Sequence, residues 1–157
     1  MNYWLMKTEP STFSIDDLAK APKRTTCWDG VRNYQVRNML RDQFAVGDLA
    51  FMYHSSCDVP GVVGVMKVVS KGYPDSTAFD PKHAHYDPDS SRDAPRWYMV
   101  DARLEQRFSS VISLEELRKH AHGKLHELLI LKRGNRLSVT PVSAAEWRFI
   151  MSLAESR

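Results

Sequence analysis

Cysteine and long hydrophobic runs are both scarce in this sequence. Cys27 and Cys57 are its two cysteines, and they do not form a C-x-x-C pair. The apolar run at residues 3–6 is followed at once by Lys7 and Glu9, so it is too short for the core of a signal peptide or for a membrane span. We therefore expect a cytoplasmic protein with both thiols reduced.

Neither sign of charge is in large excess. The chain has 22 lysines and arginines against 19 aspartates and glutamates, a net charge of +3. This is well below the charge of a strongly basic duplex binder, but it permits a partner that carries phosphate and is gripped locally, such as a short or single-stranded nucleic acid. With 157 residues, 43% of them hydrophobic, the sequence predicts one globular domain over residues 1–157.

The pattern of apolar residues predicts strands and helices that do not alternate regularly. Predicted strands cover residues 3–7, 49–54, 62–69, 97–108 and 137–142. Predicted helices begin at the capping residues Ser14, Ser113 and Ser143, and two more cover residues 32–42 and 125–131. Residues 73–95, with four prolines and five aspartates, predict a long loop. This pattern disfavours a doubly wound parallel sheet and favours an α+β fold, a small barrel, closed or half-closed, with helices around it.

Residues 28–41 hold the densest group of side chains suited to binding a ligand. At 100° per residue, Val36, Met39 and Leu40 fall on one face of the predicted helix, which we expect to be buried. The opposite face carries amide, phenol and guanidinium groups, on Asn33, Tyr34, Arg37 and Arg41. A merely solvated helix face would ordinarily mix Lys with Glu.

These groups suit a polar planar ligand, such as a nucleobase. Arginine binds phosphate through two hydrogen bonds, and amides pair with the edge of a base. Trp28 and Tyr34 offer flat surfaces for stacking, and the helix N-terminus offers N–H groups to an anion. The alternative is a core tryptophan followed by a surface helix whose arginines pair with distant acids.

Two further polar clusters lie at the ends of predicted strands. Tyr53, His54 and Ser55 end one strand, and residues 7–9 end the first. Side chains at strand ends commonly line sites, because a rigid sheet holds them beside loops. If these strands are neighbours, both clusters face the same opening.

Other constellations favour neither a metal nor catalysis. His83 and His85 with Asp87 form an H-x-H-x-D pattern, and a second histidine cluster comprises His120, His122 and His126, but neither has the spacing of a known zinc site. There is no phosphate-binding loop and no nucleophile elbow. The aspartates of residues 73–95 are of a kind that is usually solvated or caps turns. The sequence therefore predicts binding without catalysis, metal or cofactor.

Several motifs, taken together, resemble the EVE domain family. They are YWLMKTEP at residues 3–10, WDGVRNYQ at 28–35 with RN at 37–38, GD at 47–48, FMYHS at 51–55, PGV at 60–62, YPD at 73–75, FDP at 79–81, YDP at 86–88, PRW at 95–97 and RLSV at 136–139. The resemblance extends over nearly the whole chain. Thr8 stands where serine is common in the family, and Met52 where an aromatic residue is common, a change expected to affect the width of a pocket.

The resemblance implies a PUA-like fold, a small pseudo-barrel surrounded by helices and related to the YTH readers of methylated RNA. It also implies recognition of a modified base, either a modified cytosine in DNA or a modified base in RNA. Carried onto this sequence, the pocket draws on Trp28, Asn33, Gln35, Tyr53, His54 and Ser55, with Lys7, Thr8, Glu9 and Trp97 as further candidates. The candidate phosphate contacts are Arg32, Arg37 and Arg41. Two alternatives remain open: a nucleic-acid-processing enzyme of the ASCH type, to be tested at Lys7 and His54, and a module that binds a small molecule or another partner.

Overall fold

The computed structural model describes residues 1–157 as eight strands, four α-helices and three short 3-10 helices. The strands are β1 (Tyr3–Thr8), β2 (Thr25–Cys27), β3 (Leu49–His54), β4 (Gly61–Val68), β5 (Tyr73–Pro74), β6 (Tyr98–Met99), β7 (Asp101–Ser113) and β8 (Val139–Val142). The α-helices are α1 (Ile15–Lys20), α2 (Tyr34–Asp42), α3 (Leu114–Arg118) and α4 (Ala144–Glu155). The 3-10 helices cover Pro22–Arg24, Ser76–Phe79 and Leu129–Leu131. No helix combines the length and the apolar character that crossing a membrane requires.

Six strands form one sheet in the order β2-β7-β4-β3-β1-β8, and β5 pairs with β6 in a small second sheet. The strands β1 and β3 are parallel, whereas every other pair is antiparallel. Register shifts between β4 and β7 accompany the curl of the sheet into a half-barrel. The predicted α+β fold, with a mixed sheet and surrounding helices, is confirmed.

The sheet separates two hydrophobic clusters, because successive residues of a strand point to opposite faces. Leu5 and Phe51 lie in what we call the α4 cluster, where Phe51 stacks on Trp147 with ring centroids 3.8 Å apart. Trp4 and Met6 lie in the α2 cluster, together with buried residues of α1 and α2. The candidate site lies on the side of the α2 cluster, since Trp28 belongs to it.

Helix starts follow the predicted capping residues. Ser14 and Ser143 each form a capping box, with Asp17 and Glu146 respectively. In α2 the cap is Asn33, whose side chain accepts a hydrogen bond from the N–H of residue 36, so the helix begins at Tyr34. Its predicted apolar face, formed by Val36, Met39 and Leu40, is buried.

Several predicted elements differ in the structure. The strand predicted over residues 97–108 is divided between β6, which pairs with β5, and β7, which belongs to the six-stranded sheet. The loop predicted over residues 73–95 contains β5 and the 3-10 helix Ser76–Phe79. Strand β7 continues beyond residue 108 to Ser113, because its end pairs with the beginning of β4. The helix predicted over residues 125–131 is wrong, since only Leu129–Leu131 is helical and it is a 3-10 turn. Leu125 and Leu128 are buried in the α4 cluster from irregular turns, so an apolar run there reflects packing and not helical periodicity.

Candidate functional site

A polar cavity of about 470 Å³ opens between the end of β1 and the segment that runs from β2 to Gly30. The cavity is lined by Lys7, Thr8, Thr12, Phe13, Thr26, Cys27, Trp28, Asp29, Gly30, His83 and His85. Three of the residues predicted for a base pocket are therefore brought together here: Lys7, Thr8 and Trp28.

The turn from Trp28 to Gly30 forms one wall of this cavity. The N–H of Trp28 donates to the carbonyl oxygen of Val100 at 2.7 Å, and the indole is only 8% exposed, so Trp28 serves both core and cavity. Gly30 has a φ of +79°, and a Cβ at this position would lie 2.5 Å from Cε1 of His85. His85 thus packs directly on the backbone of Gly30, which only glycine permits.

Asp75 fastens this wall to the rest of the protein. Its fully buried carboxylate accepts hydrogen bonds from the N–H of Gly30 at 2.8 Å, from the N–H and hydroxyl of Thr77, and from Arg32 at 3.1 Å. Burial alone raises the pKa of Asp75, but the hydrogen bonds from Thr77, Gly30 and Arg32 outweigh it and hold the pKa below its ordinary value. Arg32 also donates to the carbonyl oxygen of His85 at 2.5 Å. The ion pair of Arg32 with Asp75 therefore positions both Gly30 and His85.

The arginines predicted to contact phosphate are engaged within the protein. Arg32 is held by the network just described, and Arg37 donates to the carbonyl oxygen of Arg96 at 2.7 Å. Arg41 makes two hydrogen bonds of 2.8 Å to the carboxylate of Asp42. The arginines of α2 bind the loop that precedes β6, or the adjacent acid, and none lines the cavity. Their contact with phosphate stays a prediction.

Three other predicted pocket residues lie away from the cavity. Asn33 caps α2, and Gln35 is exposed on the helix without a side-chain hydrogen bond. Trp97 is 6% exposed, stacks on Tyr34 with ring centroids 4.8 Å apart, and donates from Nε1 to Asp87 at 2.6 Å. Asn33 and Trp97 thus stabilise α2 and the loop beside the cavity, and none of the three residues lines it.

The strand-end cluster also faces elsewhere. Tyr53 belongs to the α4 cluster, because alternation along β3 points it to the opposite face from its neighbour His54. Nε2 of His54 accepts a hydrogen bond from the N–H of Ile15, at the first turn of α1. Ser55 bonds to the backbone of β1 through its N–H, and Glu9 is exposed outside the cavity. The wall opposite Trp28 is therefore the end of β1, not the end of β3.

The cavity combines hydrogen-bond donors with one carboxylate acceptor, that of Asp29. Burial lowers the pKa of Lys7 and raises the pKa of Cys27, the latter with a further contribution from the nearby Asp29. The carboxylate of Asp29 makes no hydrogen bond within the protein. Nδ1 of His83 accepts from the N–H of His85 at 3.0 Å, so in the neutral ring Nε2 carries the proton and is a donor.

One group of side chains has the composition of a metal site. Potential ligand atoms of Asp29, His83 and His85 lie within 4.8 Å of one another. The carboxylate next to the two histidines is therefore Asp29, and not Asp87, which bonds to Trp97. A metal requires an imidazole lone pair, however, and the hydrogen bond at Nδ1 of His83 places a proton on Nε2. The arrangement suits hydrogen bonding to an organic ligand better than metal coordination.

Eight of the eleven lining residues were not among the predicted pocket residues. Thr12 and Phe13 could have been found, because they closely follow the predicted strand-end cluster of residues 7–9. In the sequence, His83 and His85 formed only an H-x-H-x-D pattern without the spacing of a known zinc site. Nothing within residues 73–95 predicts that these histidines lie beside Gly30. That contact depends on the buried carboxylate of Asp75.

Comparison with known proteins identifies the family. The sequence model of the EVE domain matches residues 2–153. The chain belongs to the EVE domain family. Among relatives of this EVE domain, thymocyte nuclear protein 1 of Mus musculus is 47% identical, with 99% of this chain and 74% of the relative covered. The human protein of the same name is 44% identical over 98% of this chain and 74% of its own length.

Solved structures of EVE proteins superpose closely on this chain. The crystal structure of human THYN1 in complex with DNA containing 5-methylcytosine has a TM-score of 0.94 at 42% identity, covering 100% of this chain and 99% of that one. A crystal structure of a Pseudomonas syringae protein has a TM-score of 0.90 at 43% identity, covering 97% and 99% of the two chains.

Proposed function

We propose that this chain is a non-catalytic module that binds nucleic acid and takes a modified base, with modified cytosine in DNA the favoured ligand, into the cavity between β1 and Gly30. The observation that carries the proposal is the unpartnered carboxylate of Asp29, which lines the same cavity as the donors Lys7 and His83. Such a cavity can satisfy both the donors and the acceptors on the edge of a base.

The hydrogen-bonding groups favour cytosine over thymine or uracil. Aspartate accepts from the exocyclic amine of cytosine, whereas thymine and uracil place a carbonyl oxygen at that position and would face the carboxylate with a lone pair. Lys7 and His83 supply donors for the ring nitrogen and carbonyl of cytosine. Phe13 and Trp28 add apolar ring surface to the walls.

The cavity has the size of a ligand site. Its volume of about 470 Å³ lies within the range of pockets that hold small organic molecules, and exceeds what an unmodified base alone requires. A base in single-stranded DNA enters such a cavity without the few kcal/mol that extrusion from a duplex costs. The structure of human THYN1 with 5-methylcytosine-containing DNA, which is similar over the whole chain, supports this class of ligand.

The chemistry of the cavity supports recognition without catalysis. Because burial raises the pKa of Cys27, its thiol is protonated at neutral pH and is a poor nucleophile. His54, the candidate base of the enzymatic alternative, accepts a backbone hydrogen bond from Ile15 and does not line the cavity with Lys7. Lys7 and His54, the residues named for the enzymatic alternative, therefore do not share this cavity.

Binding to matched oligonucleotides tests the proposal. Fluorescence anisotropy is measured at fixed salt with single-stranded and duplex DNA, and with RNA, that carry cytosine, 5-methylcytosine or thymine at one position. Wild type is expected to bind the 5-methylcytosine DNA most tightly. Because one good contact to a base edge contributes about 1–3 kcal/mol of discrimination, Asp29→Asn is expected to reduce the preference for 5-methylcytosine over thymine by about tenfold.

Asp58→Asn is the matched control, since Asp58 is an exposed acid outside the cavity. Equal affinity of wild type for all three bases, unchanged in Asp29→Asn, would rule out the proposed function. Turnover of labelled RNA or DNA that is lost in Lys7→Ala or His54→Ala would instead establish the enzymatic alternative.

A further inference from the structure

The connection between α3 and β8 concentrates the positive charge of the chain. Residues 119–138, which we call the basic connection, hold five lysines and arginines, three of the six histidines and a single acid, Glu127. Their formal charge of +4 exceeds the +3 of the whole chain, so the other 137 residues are slightly acidic. The modest net charge of the chain therefore hides a local concentration of positive charge in the basic connection.

A second cavity in the basic connection has a lining without acids. Its volume is about 610 Å³, and its lining consists of Ala121, His122, His126, Leu131, Lys132 and Arg133. The ammonium group of Lys132 donates to the carbonyl oxygen of His126. Arg133 and Arg136 are exposed, and their guanidinium groups make no hydrogen bond or ion pair within the protein. These two arginines are available to an external anion.

The C-terminal end of the basic connection is hydrogen-bonded to the strand that carries Lys7. The carbonyl oxygen of Ser138 accepts the N–H of Lys7 at 2.8 Å, and Lys7 lines the cavity between β1 and Gly30. Arg136 is two residues from Ser138, and Arg133 is five residues away, at most about 17 Å along an extended chain. A strand of B-form DNA rises 3.4 Å per nucleotide, so this distance corresponds to about five nucleotides.

We propose that the basic connection binds the phosphates of the strand whose base occupies the cavity, with Arg133 and Arg136 as the principal contacts. The inference rests on the proposed function and names the phosphate-binding surface of that site. Arg136 lies outside the second cavity, which Arg133 lines, so the two free guanidinium groups suit successive phosphates of a polyanion better than a single phosphate ion. Unlike those of Arg32, Arg37 and Arg41, the guanidinium groups of Arg133 and Arg136 make no hydrogen bond within the protein.

The salt dependence of binding tests this inference. The dissociation constant of a short single-stranded DNA with one 5-methylcytosine is measured between 50 and 200 mM salt for wild type and for Arg133→Gln/Arg136→Gln. Each lost phosphate contact is expected to lower the slope of log affinity against log salt by about 0.7. We expect the double variant to bind about 3- to 10-fold more weakly at low salt and to keep the wild-type preference for 5-methylcytosine over thymine.

Two controls separate local contacts from net charge and from folding. Lys71→Gln/Arg148→Gln removes the same charge from exposed positions outside the basic connection, and is expected to leave the slope nearly unchanged. Arg133→Lys/Arg136→Lys keeps the charge and is expected to retain most of the slope.

Wild-type affinity and slope in Arg133→Gln/Arg136→Gln, or an equal loss in the Lys71→Gln/Arg148→Gln control, would overturn the inference. Competition by millimolar inorganic phosphate that is abolished in Arg133→Gln/Arg136→Gln would also overturn it, in favour of a site for a free anion. Failure of the proposed function is seen separately, as equal affinity of wild type for 5-methylcytosine and thymine.

Discussion

Arginines in two regions of this protein differ in whether their guanidinium groups have hydrogen-bond partners within the chain. In and before α2, Arg32 bonds to the buried Asp75 and Arg37 to a loop carbonyl. In the basic connection, Arg133 and Arg136 have no partner in the chain. The first pair of arginines thus maintains the wall of the cavity, and the second pair is free to bind a ligand. A guanidinium without internal acceptors offers all five of its N–H donors to phosphate, whereas one that bonds within the fold offers fewer, and composition alone does not reveal which case applies.

The largest effect is expected from removing the acid at the centre of the first region. Asp75→Ala leaves the N–H of Gly30 and the hydroxyl of Thr77 without their acceptor and removes the counter-charge of the partly exposed Arg32, so it should lower the free energy of unfolding by about 3 kcal/mol. Chemical denaturation monitored by tryptophan fluorescence measures the change. Asp93→Ala, at an exposed acid in the same loop, is the control and should have no measurable effect. Equal stability of the two variants would mean that Asp75 does not fasten the wall.

A smaller effect is expected at the arginine that bonds to Asp75. Arg32→Gln removes charged hydrogen bonds to Asp75 and to the carbonyl oxygen of His85, and should destabilise the protein by about 2 kcal/mol. Arg41→Gln, which breaks an exposed pair with Asp42, should change stability little, because solvent screens such pairs. If instead Arg41→Gln lowered DNA affinity as strongly as Arg133→Gln, the contrast between the two regions would fail.

The sequence was sufficient to predict what depends on local periodicity. The capping boxes at Ser14 and Ser143 and the buried face of α2 follow from spacing within a few residues, and all were confirmed. The family resemblance added the PUA-like pseudo-barrel, and the structure shows it as a half-barrel, which periodicity alone left as closed or half-closed.

The candidate site was harder to predict, because its lining depends on contacts between distant segments. His85 packs on Gly30 across 55 positions, and Asp75 was expected to be an ordinary loop acid although it is completely buried. Strand alternation did contain a usable signal, since adjacent residues such as Tyr53 and His54 cannot point to the same face of a sheet.

The pH dependence of stability tests the role of His54, whose imidazole accepts a hydrogen bond from the backbone of α1. Burial lowers the pKa of His54 below its ordinary 6.5, with Arg107 contributing in the same direction and Asp16 opposing it. The unfolded chain therefore binds the proton more readily, so stability is complete above pH 6.5 and declines as the pH falls through the folded pKa. His54→Gln should flatten this decline in thermal unfolding scans between pH 7 and pH 5. An unchanged decline would show that His54 is not the group responsible.

The smallest effect is expected from metal ions. Asp29, His83 and His85 are close enough to attract a cation, yet the N–H of His85 occupies Nδ1 of His83 and leaves the proton on Nε2. A divalent metal would have to break that hydrogen bond or remove a second proton from the ring, so we expect zinc or a chelator to shift neither the melting temperature nor the affinity for DNA. His83→Gln preserves a donor at the cavity and should retain more DNA affinity than His83→Ala. A zinc-dependent rise in melting temperature that His83→Gln abolishes would show instead that the imidazole lone pair is free, and that the donor assigned to His83 in base recognition is wrong.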